Sequence, residues 1–131
     1  MSSPADRFSG QVHASMEALA RCHLSCLSAA MTRCFELGGE HVRPQHLRLV
    51  LDCAAVCAFA SDVLARKSQF HNAVCALAAD ICEVCAKDCE RLGHMKSCVQ
   101  TCRETAALCR QTARLDRAEI LAMASMLPPG R

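Results

Sequence analysis

Tryptophan and tyrosine are absent from this chain, and only four phenylalanines occur. An interior without bulky aromatics must be filled by Ala, Leu, Val and Cys, which suits closely packed helices better than the core of a β-sandwich. β-Branched residues are few and no segment alternates with period two, so no strand is expected. No window approaches the roughly 18 consecutive apolar residues that span a bilayer. Acids and bases are interspersed at a formal net charge of +2, and no basic stretch is interleaved with aromatics, so neither a nucleic acid nor a membrane partner is implied. A Gly-rich phosphate loop, a nucleophile elbow and an H-E-x-x-H pair are all missing, which leaves hydrolytic chemistry without an anchor and makes an enzyme the weaker reading. Met1 to Gly10 carries no secretory leader, so a cytosolic location is expected, where thiols stay reduced.

Cysteine is what the chain has in excess: twelve of 131 residues. In a reducing compartment such a count points to metal or redox chemistry rather than to a disulfide framework. The length suits a single domain, with a short tail over residues 1–8 and an extension over 115–131.

The few breaks divide the chain into helices. The first is expected from Ser9 to Leu37, ended by Gly38-Gly39, with Val12, Met16, Leu19, His23, Cys26, Ala30, Cys34 and Leu37 on its buried side. Pro44 suits the first turn of a second, running to Lys67 with Leu47, Val50, Leu51, Ala54, Cys57, Ala58 and Leu64 inward. Ser68 is expected to cap a third, from Phe70 to Leu92, stopped by Gly93. A fourth runs from Met95 to Arg114. Asp116 and Glu119 form a capping-box pattern for a short fifth that ends before Pro128-Pro129. Short connections between long helices favour antiparallel neighbours, so the expected fold is all-α: an up-down-up-down four-helix bundle with a short extra C-terminal helix.

The cysteines obey the same period. Cys22 and Cys26, Cys53 and Cys57, Cys85 and Cys89, and Cys98 and Cys102 are four apart; Cys82 precedes Cys85 by three; Cys75 and Cys109 lie seven from Cys82 and Cys102. At roughly 100° per residue, the four of the third helix fall within roughly 80° and the three of the fourth within roughly 40°. The opposite side of the third helix (Glu83, Lys87, Asp88, Glu90, Arg91) belongs in water. Free cysteine also packs as a small hydrophobe, and one or two would need no further account. Twelve on one face of each helix ask for more. They make a lumen of sulfur.

Charge selects the metal. Cu(I) replacing a thiol proton leaves the site neutral, whereas Zn²⁺ on four thiolates leaves a net −2 that is costly to bury. Zinc also wants a closed tetrahedral set, and thiols one turn apart supply pairs instead. Soft, low-coordinate Cu(I) fits such pairs, with thiolates bridging from ion to ion. Two other readings stay open: a thiol redox protein cycling Cys82 and Cys85, and a zinc or iron–sulfur protein.

Cys82-x-x-Cys85-x-x-x-Cys89, the Gly93-His94-Met95 turn, Cys98-x-x-x-Cys102 and Cys109, extended by Cys22-x-x-x-Cys26 and Cys53-x-x-x-Cys57, resemble the copper storage proteins. These are cysteine-rich four-helix bundles that hold many Cu(I) ions along their interior. The resemblance implies copper storage and detoxification rather than catalysis, and a cytosolic homo-oligomer, often a tetramer. Ala78, Thr105 and Ala106 take inward positions that could have carried sulfur, so a smaller capacity than in richer relatives is expected.

Antiparallel topology gathers Cys34, His41, His46, His94 and Met95 at one end, where imidazole and thioether could exchange Cu(I); the resemblance supports His94 most directly. Histidines near helix ends are also ordinary surface features. His13, Met16 and His71 are expected at the other end as partly buried residues, His23 and Met31 as surface and packing residues, and Met123 and Met126 as cover for a subunit contact or bundle end.

Overall fold

The computed structural model describes residues 4–122, all of whose regular elements are helical. Helix α1 spans Pro4–Met31, α2 Arg33–Leu37, α3 Pro44–Ala65, α4 His71–Leu92, α5 Lys96–Ala113 and α6 Arg117–Ala122; a 3-10 turn, Gly39–Val42, joins α2 to α3. The four long rods form a square in which α1 and α4 each pack on both α3 and α5. Partners run in opposite senses: Ser15 meets Thr112 while Ser25 meets Cys98, and Glu83 meets Arg110 while Glu90 meets Arg103. The expected bundle is therefore present.

Two boundaries differ from expectation. The first helix opens at Pro4, inside the span read as a tail; proline's fixed φ favours the first helical turn, where its missing N–H is harmless. That helix is also not continuous to Leu37. At Thr32 the backbone leaves helical geometry (φ −126°, ψ −71°), and the Thr32 hydroxyl donates to the Ser28 carbonyl at 2.6 Å. Such back-bonding onto the preceding turn bends helices. It ends α1 at Met31 and leaves α2, which carries Cys34, as a separate short helix.

The remaining punctuation follows the sequence. Gly38 and Gly93 close α2 and α4 at φ +66° and +81°, a region that costs side-chain-bearing residues. Ser68 acts slightly upstream of the helix, its hydroxyl accepting the Phe70 N–H at 3.1 Å. Asp116 and Glu119 bond reciprocally at the start of α6: the Glu119 N–H donates to Asp116 Oδ1 at 2.7 Å and the Asp116 N–H to Glu119 Oε1 at 3.5 Å. Met123, Met126 and Pro128-Pro129 lie outside the described residues.

The core is made of small side chains. Val12, Leu19, Val50, Leu64 and Ile120 supply bulk, and Ala and Cys fill most of the rest. Of the residues expected inward on α1 and α3, Met16, His23, Leu37, Leu47, Leu51 and Ala58 sit half-buried at the edges of the contact, and the others are buried. The charged side of α4 is not simply solvated. Arg110 on α5 donates to Glu83 and Asp80, both at 2.8 Å, and Arg103 reaches Glu90 at 3.0 Å. The Arg110 bond holds Glu83 below the usual carboxylate range. These pairs seam α4 to α5 outside the core.

Candidate metal centre

All twelve cysteines are buried free thiols. Each is contributed by the inward stripe of its helix, so the period that buries Ala and Val also buries sulfur. Between Cys75 and Cys89 on α4, the row covers about 20 Å at 1.5 Å per residue.

The tightest grouping is central. Cys102 Sγ lies 3.8 Å from Cys22, 3.8 Å from Cys26 and 3.9 Å from Cys53; Cys82 Sγ lies 3.7 Å from Cys53 and 3.6 Å from Cys57. Cys22 and Cys26 are 3.9 Å apart. Two four-sulfur sets result, Cys22–Cys26–Cys53–Cys102 and Cys22–Cys53–Cys57–Cys82, each with its sulfurs within 4.8 Å of one another. The sets share Cys22 and Cys53, so neither can close around its own ion independently of the other. Shared thiolates are bridging thiolates.

Sequence spacing anticipated pairs along each helix; the closest contacts are mostly between helices. Cys22–Cys26 and Cys85–Cys89 (4.0 Å) do meet along one rod. Cys98 instead approaches the Ser25 hydroxyl on α1, at 3.8 Å. The pair considered for redox cycling is divided between groups, Cys82 lying against Cys53 and Cys57 and Cys85 against Cys89.

The thiols govern one another's protons. In the central group, hydrogen bonds from Cys102 and Cys26 favour the thiolate of Cys22, while the thiols of Cys26, Cys53 and Cys82 are pushed up, each chiefly through its contact with Cys102. Burial pushes Cys98 up to about 11 and raises Cys34, with the Cys85 charge adding to the rise. The buried polar set among the described residues comprises Ser15, His41, His46, His71, Thr105 and Thr112. No lysine or arginine is in it. Two Zn²⁺ ions on the six central thiolates would carry a net −2 with no buried cation opposite, whereas Cu(I) in place of each proton adds no charge.

The row is not uniform. Ala78, Thr105 and Ala106 are buried at inward positions, as the sequence suggested, and they separate the central sulfurs from Cys75 and Cys109. Thr105 donates to the Ala18 carbonyl at 3.3 Å, and Ser15 and Thr112 share a 2.7 Å bond. Hydroxyls replace sulfur toward that end.

The opposite end carries His41, His46 and His94, as the topology requires. His94 is exposed at φ +61° and its carbonyl accepts from Arg33, while Met95 beside it is buried. His41 Nε2 donates to the Gly93 carbonyl at 2.9 Å, tying the 3-10 turn to the α4–α5 turn. His46 is buried between Cys34 and Asp88; Asp88, read from the sequence as a solvated charge, was missed as its neighbour. His13 is exposed against Glu17 rather than partly buried, and His23 Nδ1 donates to the Ala54 carbonyl. His71 is fully buried rather than partly so, its Nε2 donating to the Leu115 carbonyl and its Nδ1 without a partner.

The copper storage protein family (Csp) matches residues 9–114, all of the four-helix unit but the first turns of α1. This chain belongs to that family. Its relatives include the cysteine-rich protein YhjQ of Bacillus subtilis, 34% identical over 102 residues that make up 76% of this chain and 94% of YhjQ. Among solved structures, Nmul_A1745 of Nitrosospira multiformis is 42% identical with a TM-score of 0.77, over 79% of this chain and 95% of its own. The Cu(I)-bound copper storage protein BsCsp3 of Bacillus subtilis is 33% identical with a TM-score of 0.72, over 79% and 98%. Among the described residues, no helix is long and apolar enough to cross a membrane.

Proposed function

We propose that this Csp-family bundle stores Cu(I), holding several ions on the thiolates that line its interior. One observation carries the reading: six sulfurs from four helices meet in two sets that share Cys22 and Cys53, inside a core whose described residues include no buried lysine or arginine. A shared soft ligand in an apolar space favours a chain of monovalent ions over isolated divalent ones. Cu(I) bound to the similar BsCsp3 supports the same cargo here.

The ligand set comprises Cys22, Cys26, Cys34, Cys53, Cys57, Cys75, Cys82, Cys85, Cys89, Cys98, Cys102 and Cys109. His94 is the outermost ligand of the exchange end, with Met95, His41 and His46 behind it; its exposed position in the α4–α5 turn supports this role. Storage rather than turnover follows, since ions held by buried thiolates have no open position for a substrate. The compartment is the cytosol, which keeps thiols reduced. The working unit is a homo-oligomer, a tetramer by resemblance, a reading supported by the exposed Leu24, Met31 and Phe35 on α1 and α2.

Anaerobic titration of the reduced protein with Cu(I), against a chromophoric chelator, tests the proposal. Uptake of several ions per chain is expected; fewer than about three would contradict an array of bridging thiolates.

A further inference from the structure

Cys34 stands apart from the central sulfurs, eight residues beyond Cys26 on the short helix α2. Its sulfur faces a nitrogen instead: His46 Nε2, at 3.5 Å. Both side chains are buried, Cys34 at 0% and His46 at 2% exposure. The other ring nitrogen, His46 Nδ1, lies 2.8 Å from Asp88 Oδ2. A carboxylate only accepts, so Nδ1 carries a proton, and in the neutral ring Nε2 directs a lone pair at the thiol. Arg91 in turn donates to Asp88 Oδ1 at 2.8 and 3.1 Å, fixing the carboxylate and neutralising it. Burial alone would push the Asp88 carboxyl up, but the bonds from His46 and Arg91 prevail and it stays depressed.

We infer that Cys34 and His46 form a mixed thiolate–imidazole site for one Cu(I) ion, distinct from the all-sulfur array and positioned by Asp88. The inference rests on the storage reading and adds a site of different chemistry to it. A carboxylate holding the far nitrogen of a ligating histidine is the usual means of fixing its tautomer and ring orientation. The 3.5 Å separation is that of an S–H···N contact, and it widens as a two-coordinate ion enters between the sulfur and the nitrogen. Binding breaks the S–H bond of Cys34; the proton leaves to solvent, and Cu–S and Cu–N bonds replace the S–H···N contact. One thiolate, one neutral imidazole and one Cu(I) sum to zero charge, and the Asp88–Arg91 pair outside sums to zero as well. Zn²⁺ would keep a positive charge there and lack two ligands: the sets of three or more metal-ligating atoms among the described residues are the two all-cysteine ones.

This site has its own approach. A depression of about 390 Å³ opens on the α3–α4 side, lined by Glu40, Arg43, Asp88 and Arg91, with His46 in its wall. The cavities that border His94 lie elsewhere, one against α4 and α5 and the other against α1. His46 thus stands between a surface depression and Cys34, and an ion arriving by this route meets a nitrogen before any sulfur. The thiol is not set up as a nucleophile by its Cys–His–Asp arrangement, because burial raises Cys34 and no exposed sulfur faces the depression.

The test uses the ¹⁵N-labelled full chain, followed by long-range ¹H–¹⁵N correlation of the imidazole rings during anaerobic Cu(I) addition. His46 is assigned by the signal lost in His46→Asn. The expected result is an Nδ1–H tautomer before loading and an upfield shift of Nε2 alone on loading. Cys34→Ser should abolish that shift and lower saturating uptake by one ion, with no further loss in the Cys34→Ser/His46→Asn double variant. Asp88→Asn should mix the tautomers and loosen that ion roughly tenfold, the low end for such partners. An Nε2 signal unmoved at saturation, in protein that takes up more than three ions, would overturn the mixed site and leave storage standing. Uptake below three ions with an Nε2 shift would do the reverse.

Discussion

Cys102 on α5 and Cys53 on α3 bring their sulfurs to 3.9 Å across the diagonal of the bundle. Neighbouring rods touch along their edges, so a diagonal contact means that the lumen has closed to the width of two thiols. Cys102 also touches Cys22 and Cys26 on α1, so it lies against both sulfurs that the two sets share, Cys22 and Cys53. Its loss should therefore remove more than one ion. Cys102→Ala is expected to lower saturating Cu(I) by about two ions, and Cys98→Ala, whose sulfur faces Ser25, by at most one. Metal analysis after gel filtration measures both, and equal losses would show that the sulfurs act singly.

Proton traffic should accompany loading. Cys98 is pushed up to about 11 by burial, and Cys26, Cys53, Cys82, Cys89 and Cys109 are raised mainly by neighbouring thiols. At pH 7.5 these groups hold their protons, so each Cu(I) that takes one must expel it. A weakly buffered titration is expected to release protons as ions load, fewer than one for each thiolate because Cys22, Cys75 and Cys85 are shifted the other way, and retention is expected to weaken as pH falls. Release near zero would mean that the thiols are already ionised.

The same shifts set the alkaline limit of the metal-free fold. A thiol whose folded pKa lies above its unfolded value of about 8.5 binds more protons in the folded chain. Its contribution to stability is complete below that value and is lost as pH rises toward the folded pKa. For Cys98, pushed up to about 11 by burial, that contribution holds from pH 6 to 8 and is lost between 9 and 11, so Cys98→Ala should flatten the fall in melting temperature of the reduced apoprotein over that window. Below pH 8 its helical circular dichroism should match that of the loaded form, since apolar faces and not metal close the bundle. Loss of helix on copper removal at neutral pH would contradict a preformed container.

Local signals in the sequence reached most of the fold and stopped at the contacts between rods. Gly38, Pro44, Gly93 and the Asp116–Glu119 box act within a few residues of themselves, so their positions are readable without a partner. The 3.6-residue period likewise told which face each cysteine takes. It could not tell that Cys82 meets Cys53 and Cys57 rather than Cys85, because that depends on the stagger between α3 and α4. His46 and Asp88 are 42 residues apart and met no motif. Thr32, a residue with modest helix propensity, gave little warning that its hydroxyl would take the Ser28 carbonyl and break the rod.

Thr105 marks where the sulfur row is interrupted, and it offers a test that adds function instead of removing it. It is fully buried, three residues from Cys102 and four from Cys109 on the inward face of α5. A thiol there would stand between the central group and the Cys75–Cys109 end. Thr105→Cys keeps nearly the same volume and gives up the 3.3 Å bond to the Ala18 carbonyl, at a stability cost of about 1 kcal/mol. Saturating uptake should rise by about one ion, because the new sulfur can bridge two groups that alanine and hydroxyl now separate. The denaturation midpoint of the apo form should fall slightly while that of the loaded form rises, since an additional ion bound only by the folded chain stabilises it by mass action. If the variant folds and its capacity does not change, the row on α5 does not face the common lumen at that level.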